Sequence, residues 1–231
     1  HSNSKAAVGL SLNLKLNHYP AFYYDEKGDL DEAFKINHYS AGMSLFGAVS
    51  NHTKISGGIG IERYAQRVKL FEGDTKDLEL NQAVLNVGLL RDNQDRDLFP
   101  TKGSYLSLDG KFAFAGSLVE PRLNTEIELG EFNKFARFQY RKVFPASPAF
   151  AIEWYNDAGW IDFEKDNFLN QFYLGRSVPG ELTHVEFVGL DYAELAVTSY
   201  FLSGIKFRLE PKTNIFAAAM FNYGKYRADE F

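Results

Sequence analysis

The sequence predicts an all-β protein, an antiparallel transmembrane β-barrel, on three observations. Apolar side chains recur at every second position through roughly eleven or twelve segments, the period of a strand with one apolar face. No Lys or Arg sits at the centre of an apolar row, where a charge at mid-bilayer would cost about 2–4 kcal/mol. Short turns alternate with long polar loops, as they do in membrane barrels. The mean hydropathy of −0.29 fits a barrel, because only alternate residues face lipid. No apolar run approaches the ~20 residues of a spanning helix.

The strands follow in chain order. In 6–17, Val8, Leu10, Leu12, Leu14 and Leu16 oppose Gly9, Ser11, Asn13 and Lys15. A polar loop over 18–34 leads to 35–49, where Tyr39, Ala41, Met43 and Leu45 oppose His38, Ser40, Gly42 and Ser44. Asn51-His52 makes a tight turn into 53–68, with Ile55, Ile59 and Ile61 against Ser56, Gly58, Gly60 and Glu62. An acidic loop over 69–80 precedes Leu85, Val87 and Leu89. Past a charged turn, Leu106, Leu108, Phe112 and Phe114 alternate with Ser107, Asp109, Lys111 and Ala113. After an irregular stretch over 116–131, segment 132–144 sets Ala136, Phe138 and Tyr140 against Arg137, Gln139 and Arg141. The turn Pro145–Pro148 opens 149–161, where Phe150, Ile152 and Trp154 oppose Glu153, Tyr155 and Asp157. Further strands are predicted over 168–174, 185–196, 199–210 and 213–224. In 199–210, Phe201, Ile205, Phe207 and Leu209 oppose Gly204, Lys206, Arg208 and Glu210.

The polar rows place Lys15, Glu62, Asp109, Lys111, Arg137, Arg141, Glu153, Asp157, Lys206, Arg208 and Glu210 on a wet lumen, where opposite charges can pair. Aromatic residues near strand ends are expected at the headgroup level. They are Tyr19, Phe22, Tyr23, Tyr24, Tyr64, Phe144, Trp160, Phe163, Tyr200, Tyr223 and Tyr226.

Several functions are excluded. A net charge of −5 gives no basic footprint for nucleic acid. The absence of cysteine removes disulfides and thiolate metal sites. The five histidines, His1, His18, His38, His52 and His184, lack metal-ligand spacing and read as loop and girdle residues, so neither metal nor cofactor is expected. Gly175-Arg-Ser-Val-Pro-Gly180 has one residue too many for a nucleophile elbow. Ser56-Gly-Gly-Ile-Gly60 lacks the third glycine of a dinucleotide loop. No catalysis is expected within the chain.

The turn after Leu89 carries D-N-x-D-R-x-x-F-P-T-x-G, on Asp92, Asn93, Asp95, Arg96, Phe99, Pro100, Thr101 and Gly103. Proline would set φ at Pro100, and Gly103 would supply a positive φ or a close approach. Asp92, Asp95, Arg96 and Lys102 read as an ion-pair and turn cluster; a calcium loop would need a different acidic spacing. This run resembles the signature of the bacterial surface antigen superfamily, the BamA- and TamA-type outer-membrane barrels, with relatives in two-partner secretion and patatin-like phospholipases. The resemblance covers about residues 35–225.

It implies a barrel of the bacterial outer membrane with sixteen strands. Residues 1–231 are then expected to be one barrel domain, a fragment whose closing strands and N-terminal modules lie elsewhere. It implies structural roles for the signature residues and an inward-folding loop within Phe172–Tyr192, with Gly175, Arg176, Pro179 and Gly180 as candidates. The R-G-aromatic triplet of BamA-type loops is missing there, which is closer to the patatin-type barrels. The implied function is to assemble, translocate or anchor a protein. The alternatives are the membrane anchor or exporter of a patatin-like phospholipase with its catalysis outside this chain, and a porin-like channel. Expected partners are outer-membrane lipid, a client or passenger protein, and a second copy in a homodimer.

Overall fold

The computed structural model describes residues 7–24, 30–68, 78–96, 99–120, 125–128, 133–162, 171–175, 183–190, 195–212 and 215–227. They form two sheets. The larger has ten strands. Its path is β1 (Ala7–Tyr24), β2 (Leu30–Ser50), β3 (Thr53–Val68), β4 (Leu78–Asp92), β5 (Gly103–Glu120), β7 (Asn133–Ser147), β8 (Phe150–Asp162), β12 (Ser199–Lys212) and β13 (Ile215–Arg227), with β6 (Thr125–Glu128) beside β5. Every pairing in it is antiparallel. The second sheet has three strands in the order β10 (His184–Glu186), β9 (Phe172–Gly175), β11 (Leu195–Val197).

The pleat sorts the wall. Val8, Leu10, Leu12, Leu14 and Leu16 are 61–85% exposed, and Ile55, Ile59, Ile61, Phe138, Trp154, Phe201 and Ile205 are exposed on the same outer face. The buried residues of the wall have the other parity, among them Tyr64, Val84, Ser107, Arg137, Glu153, Asp157 and Leu202. An apolar exterior around a more polar interior inverts the soluble pattern and suits lipid outside.

Several sequence expectations change. In the expected segments 168–174 and 185–196, the described strands Phe172–Gly175, His184–Glu186 and Leu195–Val197 are not wall strands. Phe172, Tyr173 and Leu174 are all buried, so this run has no lipid-facing side. It pairs parallel with β10 and antiparallel with β11 instead. The first loop is shorter than 18–34, because β1 runs to Tyr24 and β2 starts at Leu30. The acidic loop ends before Leu78, where β4 begins, and β5 extends into 116–131 as far as Glu120. Tyr19, Tyr64 and Tyr200 are buried rather than in the girdle, as are His38 and His184. Phe144, Trp160, Tyr223 and Tyr226 are exposed. Phe163 lies outside the described residues.

Candidate functional site

Antiparallel pairing brings the turns after β2, β4 and β7 to one end of the wall. The signature turn is among them, and its polar residues spend their side chains on the turn itself. Asp92 Oδ1 accepts from the Gln94 amide at 2.9 Å. Asn93 Oδ1 accepts from the Ser104 amide at 2.5 Å and from the Ser104 hydroxyl at 2.9 Å. Asp95 gathers the Thr101 amide (2.9 Å), the Thr101 hydroxyl (2.5 Å) and the Lys102 amide (3.1 Å). Desolvation would raise the Asp95 pKa, but the Thr101 hydroxyl and the two amides outweigh it and hold the carboxyl at about 2. Gly103 has φ +111, and a Cβ there would lie 2.5 Å from the Asn93 carbonyl oxygen, so no other residue fits. Phe99 also has positive φ, +52.

The turn reaches past β7 and β8 to β12. Arg208 donates to the Pro100 carbonyl at 3.1 Å and pairs with Glu153 on β8. Arg96 lies 3.4 Å from Glu210. Two of the charges read from sequence as lumenal, Arg208 and Glu210, therefore hold the signature turn across the end of the wall.

Higher on the inner face, β9–β11 sits against β7, β8 and β12. Its apolar side joins Phe172, Leu174, Val185 and Val197 to Phe135, Ile161, Tyr200 and Leu202 in one core. The Phe172 ring is 5.1 Å from that of Phe135 and 4.8 Å, edge-on, from Tyr200. A Cβ on Gly159 would collide with both the Phe172 and Tyr200 rings, so this close approach requires glycine.

Beside this core lies a buried charge cluster. Arg137 donates from Nε and Nη2 to the two oxygens of Asp157 at 3.1 and 2.7 Å, a two-pronged pair. Gln139 and the Tyr200 hydroxyl complete the Asp157 carboxylate at 2.9 and 2.7 Å. Arg137 Nη1 donates to the His184 carbonyl of β10 at 3.4 Å. The His184 ring lies 4.9 Å from Tyr19 of β1 and 5.2 Å from Tyr173. The small sheet thus touches opposite parts of the wall.

A second cluster lies on β2–β5. Glu62 accepts from Lys111 (3.0 Å), Gln82 (2.8 Å) and Tyr64 (3.3 Å), and His38 stacks on Tyr64 at 4.1 Å. Lys15, His38, Glu62, Tyr64 and Lys111 line an inner cavity of about 300 Å³. A second cavity, about 160 Å³, is lined by Arg137, Arg141, Glu153, Lys206 and Arg208. Asp109 accepts from Ser107 at 2.5 Å. Gly175 ends β9 with φ +139; Arg176, Pro179 and Gly180 lie outside the described residues.

Sequence reasoning missed Tyr19, Tyr64, Tyr200 and His184 as interior groups, while His38 stood on the polar row and is buried there. The signal was present: Tyr64 shares the parity of Glu62, and Tyr200 that of Gly204. Phe172 and Tyr173 carried no such signal, since a short apolar run has no readable face.

No curated protein matches the chain. Among solved structures, BamA from Haemophilus ducreyi lacking POTRA domains 1–3 is similar in fold, with TM-score 0.67 and 13% identity. The match covers 96% of this chain and 47% of that one, so the chain spans about half its length. Residues 3–177 match the family model of the Omp85 superfamily domain. The chain belongs to the Omp85 superfamily, and it is an all-β barrel segment of the bacterial outer membrane.

Proposed function

We propose that this chain is the membrane domain of a protein that assembles client polypeptides in the outer membrane or translocates them across it. The wall anchors in lipid through its outer rows. The small sheet β9–β11 occupies the lumen as a plug, in the role the family resemblance implies for an inward loop. The action is mechanical: the wall offers a path and the plug controls it. The observation that carries this reading is the plug's seat on Arg137, Asp157 and Tyr200, joined to membership of the superfamily. A lumen filled in this way favours a gated role over an open porin.

The wall is part of a larger barrel in this reading. Among the described residues β1 and β13 each pair on one side only, and an open edge in lipid leaves backbone groups unsatisfied. The nine strands of the path start and finish in the same direction, so antiparallel closure needs an odd number of further strands. Sixteen strands, the number the resemblance implies, meets that condition. A homodimer that only joined these two edges in one membrane orientation would pair strands in parallel, which disfavours it as the means of closure.

Reconstitution tests the function. Liposomes carrying the protein are expected to fold a urea-unfolded client barrel about tenfold faster than empty liposomes, read by heat-modifiable gel mobility. Unchanged folding together with steady open-pore conductance would replace this reading with a channel. A G-x-S-x-G domain upstream of His1 would instead give the chain the part of anchor or exporter for a patatin-type lipase.

A further inference from the structure

The outer wall of β1–β5 is not uniformly convex. It holds a trough of about 990 Å³ on the lipid-facing side. Its floor follows one row of the sheet, in which Leu14 pairs with Ala41, Ala41 with Ile61, Ile61 with Ala83 and Ala83 with Ala115. Ala41, Ala83 and Ala115 leave low ground in this row, exposed Ile61 stands between Ala41 and Ala83, and exposed Leu14 and Phe114 rise at its sides. The register shifts just past Ala83, where Phe114 is the extra residue.

The next row toward the long-connection end changes character. There Tyr39 pairs with Arg63, Arg63 with Asn81 and Asn81 with Ser117. Arg63 is 53% exposed and gives only Nη2 to Glu79, at 2.7 Å. Its other guanidinium nitrogens, and the Asn81 and Ser117 side chains, make no hydrogen bond among the described residues. An apolar trough therefore ends at three polar groups with spare hydrogen-bonding capacity, one of them cationic.

We propose that this trough holds one acyl lipid of the surrounding bilayer with a phosphate headgroup, its chains on the alanine floor and its phosphate at Arg63. The order of the two rows matches an amphiphile standing in a membrane. Apolar contact lies toward mid-wall and hydrogen-bond donors lie at the boundary. The guanidinium fork suits phosphate oxygens, and Glu79 leaves part of it available. A free anion would have no use for the floor, and a neutral lipid none for Arg63.

Native mass spectrometry of the protein purified in detergent tests this. The probes are phosphatidylglycerol, a diacylglycerol with the same chains, and sodium phosphate. Wild type is expected to retain one phosphatidylglycerol about tenfold better than the diacylglycerol. Millimolar sodium phosphate is expected not to displace it. Arg63→Gln should bring the two lipids to parity, and Ala83→Phe with Ala115→Phe should abolish retention of both. Equal retention of the two lipids by wild type, or an unchanged preference in Arg63→Gln, overturns the proposal. Displacement by sodium phosphate overturns it in favour of a plain anion site. Heat-modifiable mobility reports folding; if the filled-trough variant does not fold, Arg63→Gln decides alone.

Discussion

The inner faces of β1–β4 and of β7, β8 and β12 use the same pleat but are filled differently. On β7, β8 and β12 the inward residues are Phe135, Arg137, Asp157, Gly159, Tyr200 and Leu202, and β9–β11 covers them. On β1–β3, toward the short-turn end, they are mostly small, Gly9, Ser11, Asn13, Gly42, Ser44, Ser56 and Gly58, with Phe46 as the exception, its ring over Gly9. None of those is buried, and Asn13, Gly42, Ser44, Ser56 and Gly58 line the open inner cavity. The outer rows of both halves are apolar. Through mid-wall the lipid side thus obeys one rule, while the lumen side is written locally, large and charged where a plug rests, mostly small and polar where space is kept.

The largest expected effect lies in the filled half. Arg137→Ala leaves Asp157 buried without its charge partner, which typically costs about 3–5 kcal/mol. Urea unfolding followed by heat-modifiable mobility measures it, and single-channel recordings should show higher conductance as the plug loosens. A loss below about 1 kcal/mol would mean that the charge cluster does not seat the plug.

Gly159→Ala comes next. Its Cβ meets the Phe172 and Tyr200 rings, so overpacking of about 1–3 kcal/mol is expected by the same assay. Asp95→Asn should cost about 1 kcal/mol or less, because the turn is exposed and its bonds compete with water. Its pH dependence has a definite sign. The folded pKa is depressed from 3.8 to about 2, so the carboxylate's contribution is present above pH ~4 and lost as pH falls toward 2. Stability of Asp95→Asn should then vary less than wild type across that window.

The smallest effect belongs to the hollow half. Ser44→Ala should change stability by no more than about 0.5 kcal/mol. A large loss there would erase the contrast between the two halves.

Much of this was legible in the chain. Alternation located the wall strands and their lipid rows, and the D-N-x-D-R-x-x-F-P-T-x-G run located the signature turn. Parity alone puts Lys111 and Glu62 on one face, where they meet at 3.0 Å. Tyr19, Tyr64 and Tyr200 leave the expected girdle because parity, not nearness to a strand end, decides their side. Phe172–Gly175 is apolar on both sides, and a run of that length has no period that distinguishes a plug strand from a wall strand.

The sequence by itself determined which side chains face lipid, because the pleat is local and repeats every two residues whatever the rest of the chain does. It also determined the chemistry of the signature turn, whose internal hydrogen bonds span 2 to 11 residues. Only the tertiary structure decided that β9–β11 leaves the wall and fills the lumen, that Arg208 clasps Pro100, and that Arg137 meets both Asp157 and His184. Those contacts join residues 20 to 108 positions apart; strand register brings Arg137 to Asp157, and the folding of the sheet and of β9–β11 brings the others together.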